Sequence, residues 1–173
     1  MEKHMEETQA EQLFEELCSW YLSVARDYAA IPQAFAGITI SGKRFIALLD
    51  GIELNHVERH QFVKFALERE KAVAFVYGSL THAFDDSQSE PVEELAINAG
   101  TADHYRFKTW AVKRLVDPKR IELIPASQFE GSNPGEVIGA WFLTPELTVP
   151  DQSLARFLRL WESMEKDLHR YSN

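Results

Sequence analysis

The sequence has little cysteine and no long apolar run, and both shortages restrict what the protein can be. Cys18 is the single cysteine among 173 residues, so no disulfide can form within one chain, which fits a reducing compartment. No stretch approaches the roughly 18 apolar residues of a membrane span. The first residues, MEKHMEETQAEQ, are acidic and polar, where a signal peptide has a basic start and an apolar run. We therefore expect a cytoplasmic protein that does not cross a membrane.

Positive charge is also scarce in this chain. Eighteen lysines and arginines stand against 27 acidic residues, which gives a formal net charge of -9. The field of such a molecule repels phosphate, so nucleic acid is an unlikely partner. The length suits one domain, and we see no internal repeat and no linker. We predict a single domain over residues 1–173, with residues 1–5 as a disordered tail and no cofactor.

Apolar periodicity predicts three helices. The first covers residues 6–30 and is closed by Pro32; the second is capped by Asn55 and runs to about Glu70, and the third begins at Asp151 as its N-cap. Cys18 falls within the apolar register of the first helix, where an inert buried thiol is expected.

The segments between these helices have strand character. Ser41 and Gly42 separate two β-prone runs, 38–40 and 44–49, and the glycine can adopt the positive φ of a hairpin turn. Further strands are predicted over residues 72–80, 92–99, 104–115, 121–125 and 137–143. A run of strands bracketed by helices favours an α+β fold, with a mainly antiparallel sheet of about five to six strands packed by the N-terminal, central and C-terminal helices.

Two histidines, His56 and His60, lie four residues apart in the predicted central helix. This spacing places them on one face, where both can reach a single metal ion. The order matches neither of two familiar zinc-protease motifs, H-E-x-x-H and H-x-x-E-H, and a zinc site needs further ligands. The nearest candidates in sequence are His82, Asp85 and Asp86. We favour the alternative, in which the two rings lie at the edge of an apolar arc with one nitrogen in water, and we predict no metal.

The strand FVYGSL ends in a short stretch with a possible binding role, Tyr77, Gly78, Ser79 and Leu80. It resembles the opening strand of the γ-glutamylcyclotransferase-like family, in which a Tyr-Gly-Ser-Leu type of turn holds the substrate with backbone amides. The resemblance implies a substrate-binding turn at these four residues and a small enzyme. Its catalytic glutamate is not identified by any motif here, and the candidates are Glu122, Glu130 and Glu136. Alternatively, Gly78 marks a β-bulge.

Cations concentrate in one predicted strand of this acidic chain. Strand alternation places Arg106, Lys108, Trp110 and Arg114 on one face. The opposite face carries the better core residues, Tyr105, Phe107, Thr109 and Ala111. The first face then presents cations around an indole, which suits a protein partner or a small anionic ligand. In the alternative, the acidic segment 85–94 pairs with these cations across the sheet, the more frequent use of such charges.

Two classes of function remain. The first is a non-catalytic interaction or regulatory protein of the inhibitor or immunity type, which presents the basic strand to an acidic protein or a small anionic ligand and can form a homodimer. The second is a small enzyme that uses the turn at 77–80, or a metal-dependent hydrolase that uses the histidine pair. We predict the first class, because the chain contains no recognisable nucleophile motif and no complete metal motif, and we leave enzymatic activity open.

Overall fold

The protein is built from three helices and one sheet. The computed structural model describes residues 2–83, 90–132, 142–143, 147–166 and 168–171. The helices are α1 (Glu2–Tyr28), α2 (His56–Arg69) and α3 (Asp151–Glu165). The predicted N-terminal, central and C-terminal helices are therefore confirmed. Because α1 begins at Glu2, it includes most of the segment expected to be a disordered tail.

Seven strands form the sheet, and every pair of neighbours is antiparallel. They are β1 (Ala34–Thr39), β2 (Arg44–Leu48), β3 (Ala72–Ala83), β4 (Val92–Gly100), β5 (Tyr105–Val116), β6 (Lys119–Gly131) and β7 (His169–Tyr171). Their order across the sheet is β6-β5-β4-β3-β1-β2-β7. Six of the strands are longer than three residues, which confirms the α+β fold with a mainly antiparallel sheet. No helix within the described ranges is long and apolar enough to cross a membrane.

Local signals in the sequence locate the first hairpin and the central helix. Gly42 has a φ of +78° in the turn between β1 and β2, a conformation that glycine adopts without the steric cost of a side chain. Asn55 caps α2 in a capping box. Its side chain accepts the N–H of Glu58 at 3.0 Å, and the Glu58 carboxylate accepts the N–H of Asn55 at 2.9 Å. Both predictions are confirmed, because each depends only on residues close in sequence.

The sequence-based boundaries are less accurate near the C-terminus. Asp151 is the first residue of α3 and not its cap. Pro150 occupies the cap position without a side-chain hydrogen bond. β6 extends to Gly131, into a segment expected to be a loop. The strand predicted over 137–143 lies mostly outside the described residues, and its last two residues are in a turn.

Both faces of the sheet are covered by helices. On the α1 face, one apolar cluster includes Leu13, Phe14, Leu17, Tyr21, Val76, Leu95, Ile97 and Trp110. On the opposite face, the α2–α3 face, a second cluster includes Phe35, Phe45, Phe62, Leu67, Phe75, Phe157 and Trp161. Two buried apolar faces explain why the central strands have apolar residues at consecutive positions instead of strict alternation.

A single close contact positions α1 on its face of the sheet. The ring of Tyr21 lies directly on Gly78, where a Cβ atom would overlap the ring. The Tyr21 hydroxyl is 2.7 Å from the carbonyl oxygen of Pro32 and 3.1 Å from that of Gly78. Burial raises the pKa of Tyr21, so the hydroxyl keeps its proton and acts as a donor. The glycine within β3 is thus explained by the approach of a tyrosine, and β3 has no bulge at this position.

We expect Gly78→Ala to lower the free energy of unfolding by about 1–3 kcal/mol, because a buried ring must move to admit the methyl group. Thermal and urea unfolding measure the loss. The control is Tyr21→Leu, alone and combined with Gly78→Ala. With the ring absent, the alanine should cost much less, and additive losses would show that the tyrosine is not responsible.

Candidate functional site

Two side chains of the basic strand β5, Arg106 and Trp110, contact α1. Arg106 donates to Glu11 of α1 at 3.0 Å and to Glu130 of β6 at 2.9 Å, and Glu15 lies 3.8 Å away. Trp110 is 3% exposed within the α1 cluster. The expectation that this indole belongs to an exposed binding surface is therefore wrong. The reason is that α1 supplies both an apolar cover for the indole and carboxylates for the cation.

Two further cations of β5, Arg114 and Lys108, have partners on neighbouring side chains. Arg114 is exposed and pairs with Glu93 of β4, with 2.6 Å between Nε and Oε2. This hydrogen bond lowers the pKa of Glu93. Lys108 lies over the ring of Trp110, with 5.1 Å between its nitrogen and the ring centroid. Pairing with the acidic segment 85–94 is therefore confirmed for Arg114, whereas Arg106 pairs with Glu11 and Glu130, which lie outside that segment.

We predict that Arg106→Glu destabilises the protein by about 1–3 kcal/mol, because it places a fourth carboxylate among Glu11, Glu15 and Glu130. The loss should shrink at high ionic strength, as salt screens like charges. Unfolding at low and high salt tests this, with the exposed Lys119→Glu as the matched charge reversal. If the Arg106→Glu variant is as stable as the unchanged protein, Arg106 is not paired with these carboxylates and is available to bind a ligand.

The four residues that resemble a substrate-binding turn lie inside β3. Gly78 is paired with Ala34 of β1 on one side and with Ile97 of β4 on the other. Backbone groups within such a ladder are hydrogen-bonded to neighbouring strands and are not presented to a ligand. The expected turn is therefore wrong. Of the candidate glutamates, Glu130 is paired with Arg106 and Glu122 with Arg120, and the third, Glu136, lies outside the described residues.

The side chain of Tyr77 instead ends a polar chain on the α2–α3 face. Arg59 donates to the side-chain oxygen of Gln33, and the Gln33 amide donates to the Tyr77 hydroxyl. The Tyr77 hydroxyl is also hydrogen-bonded to Ser79, but burial outweighs these bonds and raises the pKa of Tyr77. The protonated Tyr77 hydroxyl is thus hydrogen-bonded to both Gln33 and Ser79.

Asn98 is a polar residue of this face that the sequence did not single out. It pairs with Tyr77 across β3 and β4 and is only 6% exposed. Its side-chain oxygen is the one buried side-chain polar atom in the described part of the chain that lacks a hydrogen-bond partner. Such an atom costs about 1–3 kcal/mol of stability. Within the stretch AINAG, nothing distinguishes this residue from any other strand asparagine.

The side chains of His56 and His60 are in contact, but the described residues around them do not form a metal site. Their ring centroids are 4.5 Å apart, and Nδ1 of His60 is 2.8 Å from the carbonyl oxygen of His56. His60 also stacks on Phe142 at 5.8 Å, while His56 is exposed. Among the described residues, no three histidine, cysteine or acidic side chains are grouped to hold a metal ion. His60 therefore lies at the packing edge of α2. Two of the further ligand candidates, Asp85 and Asp86, lie outside the described residues.

Burial lowers the pKa of His60 below its usual value of 6.5, so a proton binds the unfolded chain more tightly than the folded one. The contribution of the neutral His60 side chain to the free energy of unfolding is complete above pH 6.5 and is lost as the pH falls below that value. We expect His60→Phe to reduce the decline in unfolding free energy between pH 7 and pH 5. His56→Gln should retain most of the decline, because burial and not His56 is the largest cause of the lowered pKa of His60, and equal declines for His60→Phe and the unchanged protein would contradict this.

A groove opens on the α1 face, beside the β1–β2 hairpin. α1 packs chiefly against β3, β4 and β6, so it leaves part of the hairpin uncovered. The resulting cavity has a volume of about 710 Å³, and we call it the hairpin groove. Its lining residues are Leu13, Glu16, Leu17, Trp20, Ala36, Ile46, Ala47, Leu48, Asp50, Ile52, Met164 and Leu168. Most of these side chains are apolar, and Leu48 is 51% exposed.

Two carboxylates are the charged groups in this lining. Both oxygens of Glu16 accept hydrogen bonds from Nη1 of Arg44, at 2.8 and 2.9 Å. The Arg44 side chain is only 2% exposed and is not a lining residue of the groove. Asp50 accepts the backbone N–H of Gln33 at 2.8 Å. The groove thus combines apolar walls with acidic groups.

Comparisons of the chain with protein-family models, with curated proteins and with solved structures found no match. The function therefore has to be argued from the chemistry of the surfaces described above. The hairpin groove was not predicted from the sequence, in which Leu13, Leu17 and Trp20 have the same pattern as residues buried against a sheet. Leu48, at the end of β2, continues an apolar run in the sequence, and only the structure shows that its side chain is exposed.

Proposed function

We propose that this protein is a non-catalytic binding protein with a regulatory role, and that the hairpin groove is its binding site for a small, mainly apolar ligand. The volume of about 710 Å³ supports this, since small-molecule sites typically enclose roughly 300–1,000 Å³. The lining supports it as well, because such sites combine mainly hydrophobic walls with a few polar groups that orient the ligand. This groove is the observation on which the proposal depends.

The groove replaces the basic strand as the favoured surface for a physical reason. Arg106 and Trp110 already have partners in α1, so a ligand would have to displace a packed helix to reach them. The groove offers exposed apolar area without that cost. Water released from Leu48 and its neighbours favours binding by about 25 cal/mol for each Å² of apolar surface covered.

The basic strand supports a second candidate function, the binding of a small anion. Lys108 and Arg106 line a smaller cavity of about 320 Å³, together with Phe14 and Gln128. The ammonium group of Lys108 is the feature that favours an anion there. Glu15 and Glu130 line the same cavity and oppose an anionic ligand, so we rank this candidate below the groove.

Cytoplasmic location and self-association belong to the same proposal. Cys18 is buried, and burial raises the pKa of its thiol to about 12, so the thiol stays protonated and suits a reducing compartment. Ile40, which is not a lining residue of the groove, is exposed on the β1–β2 hairpin, which gives a homodimer an apolar contact. Light scattering over a range of protein concentrations measures the oligomeric state.

Leu48→Asp tests the groove directly. We expect wild-type protein to bind the neutral, polarity-sensitive dye Nile red saturably, and the variant to bind it about tenfold more weakly, a change of about 1.4 kcal/mol. The reason is that an aspartate on the wall must lose water when an apolar molecule covers it. Fluorescence titration of the dye gives both affinities.

The matched control is Ile124→Asp on β6. Ile124 is 49% exposed, against 51% for Leu48, so both variants place the same charge at an exposed strand position. The melting temperatures of the two should be similar, and only Leu48→Asp should weaken binding. The groove proposal fails if wild-type protein shows no saturable binding, or if both variants weaken it equally.

A further inference from the structure

The acidic lining of the hairpin groove selects a particular kind of ligand, an inference that rests on the proposed function. Glu16 and Asp50 line the groove, and no lysine, arginine or histidine is among its described lining residues. Arg44, the cation that pairs with Glu16, has only 2% of its side chain exposed. Among the residues whose side chains the structure describes, a ligand in the groove therefore meets carboxylate oxygens and no accessible cation.

Asp50 is the carboxylate best placed to meet a charged ligand group. It follows Leu49 at the end of β2, at an exposed position. The N–H of Gln33 holds one of its oxygens at 2.8 Å, and no lysine, arginine or histidine of the described residues forms a salt bridge with it. A carboxylate that is oriented but not neutralised attracts a cation more strongly than one already in an ion pair.

We propose that the hairpin groove binds a cationic amphiphile, a molecule with an apolar body and an ammonium group at one end. The body lies against Leu17, Ile46 and Leu48, and the ammonium lies beside Asp50. The indole of Trp20 lines the same groove, and aromatic faces attract ammonium groups. The net charge of -9 favours the approach of a cation from solution. An anionic amphiphile of equal length would bring its carboxylate towards Glu16 and Asp50, which repel it.

Three ligands that share an eight-carbon chain test the proposal. These are n-octyltrimethylammonium, 1-octanol and octanoate, each below its micelle or solubility limit. We expect the ammonium compound to bind most tightly and octanoate most weakly, with about a tenfold difference at low ionic strength. The difference should narrow at high salt, because the attraction to an exposed carboxylate is screened. Isothermal titration calorimetry gives the affinities.

Asp50→Asn should remove most of the preference for the ammonium compound and leave the affinity for 1-octanol unchanged. The control is Asp117→Asn, which removes one exposed carboxylate at the β5–β6 turn, away from the groove. This control should keep the preference. If Asp50→Asn does not fold, the affinities of the wild-type protein for the three ligands test the proposal by themselves.

The outcomes separate this inference from the proposed function. If none of the three ligands binds saturably, the groove is not a ligand site and both proposals fail. If all three bind with equal affinity, the groove binds apolar ligands but the inference about charge is overturned. A tighter binding of octanoate overturns it as well, as does an ammonium preference that survives Asp50→Asn.

Discussion

The contact between Tyr21 and Gly78 determines how the first helix lies on the sheet, and much of the remaining surface chemistry follows from it. A ring can reach the backbone of β3 only where the strand has no side chain on that face. The one proton of the buried hydroxyl is then shared between the carbonyl oxygens of Pro32 and Gly78. Helix, strand and the segment before β1 are thus joined at one point, and the rest of α1 has little freedom to pack elsewhere.

Two consequences follow along the length of α1. One part of the helix brings Glu11 and Glu15 over β5, where they neutralise Arg106, while apolar residues cover Trp110. Another part presents Leu17 and Trp20 to the β1–β2 hairpin without closing on it. The same helix position therefore removes the basic strand as an open surface and creates the groove. An acidic helix suits the first task because Glu11 and Glu15 add to the carboxylate of Glu130 in offsetting the partly buried charge of Arg106.

The fold could be predicted from the sequence far better than the site. The hairpin around Gly42 and the cap at Asn55 were predicted because turn and capping chemistry involves neighbours in the chain. β5 was placed correctly as a strand, but the assignment of its faces failed because α1 covers the face that carries Trp110, and alternation alone does not show which face a distant helix will cover. The role of Gly78 was missed for the same reason, since a glycine in a strand pattern does not indicate which side chain approaches it.

The sequence by itself determined the helices, the strands and the antiparallel arrangement, since hydrophobic periodicity and turn residues act over a few positions. Only the tertiary structure decided which cations are neutralised, which indole is buried and where an apolar surface stays open. Those outcomes depend on contacts between residues far apart in the chain, such as Tyr21 and Gly78, which are separated by 57 positions. The fit of one side chain to a distant backbone is a matter of shape, and no local pattern of residues records it.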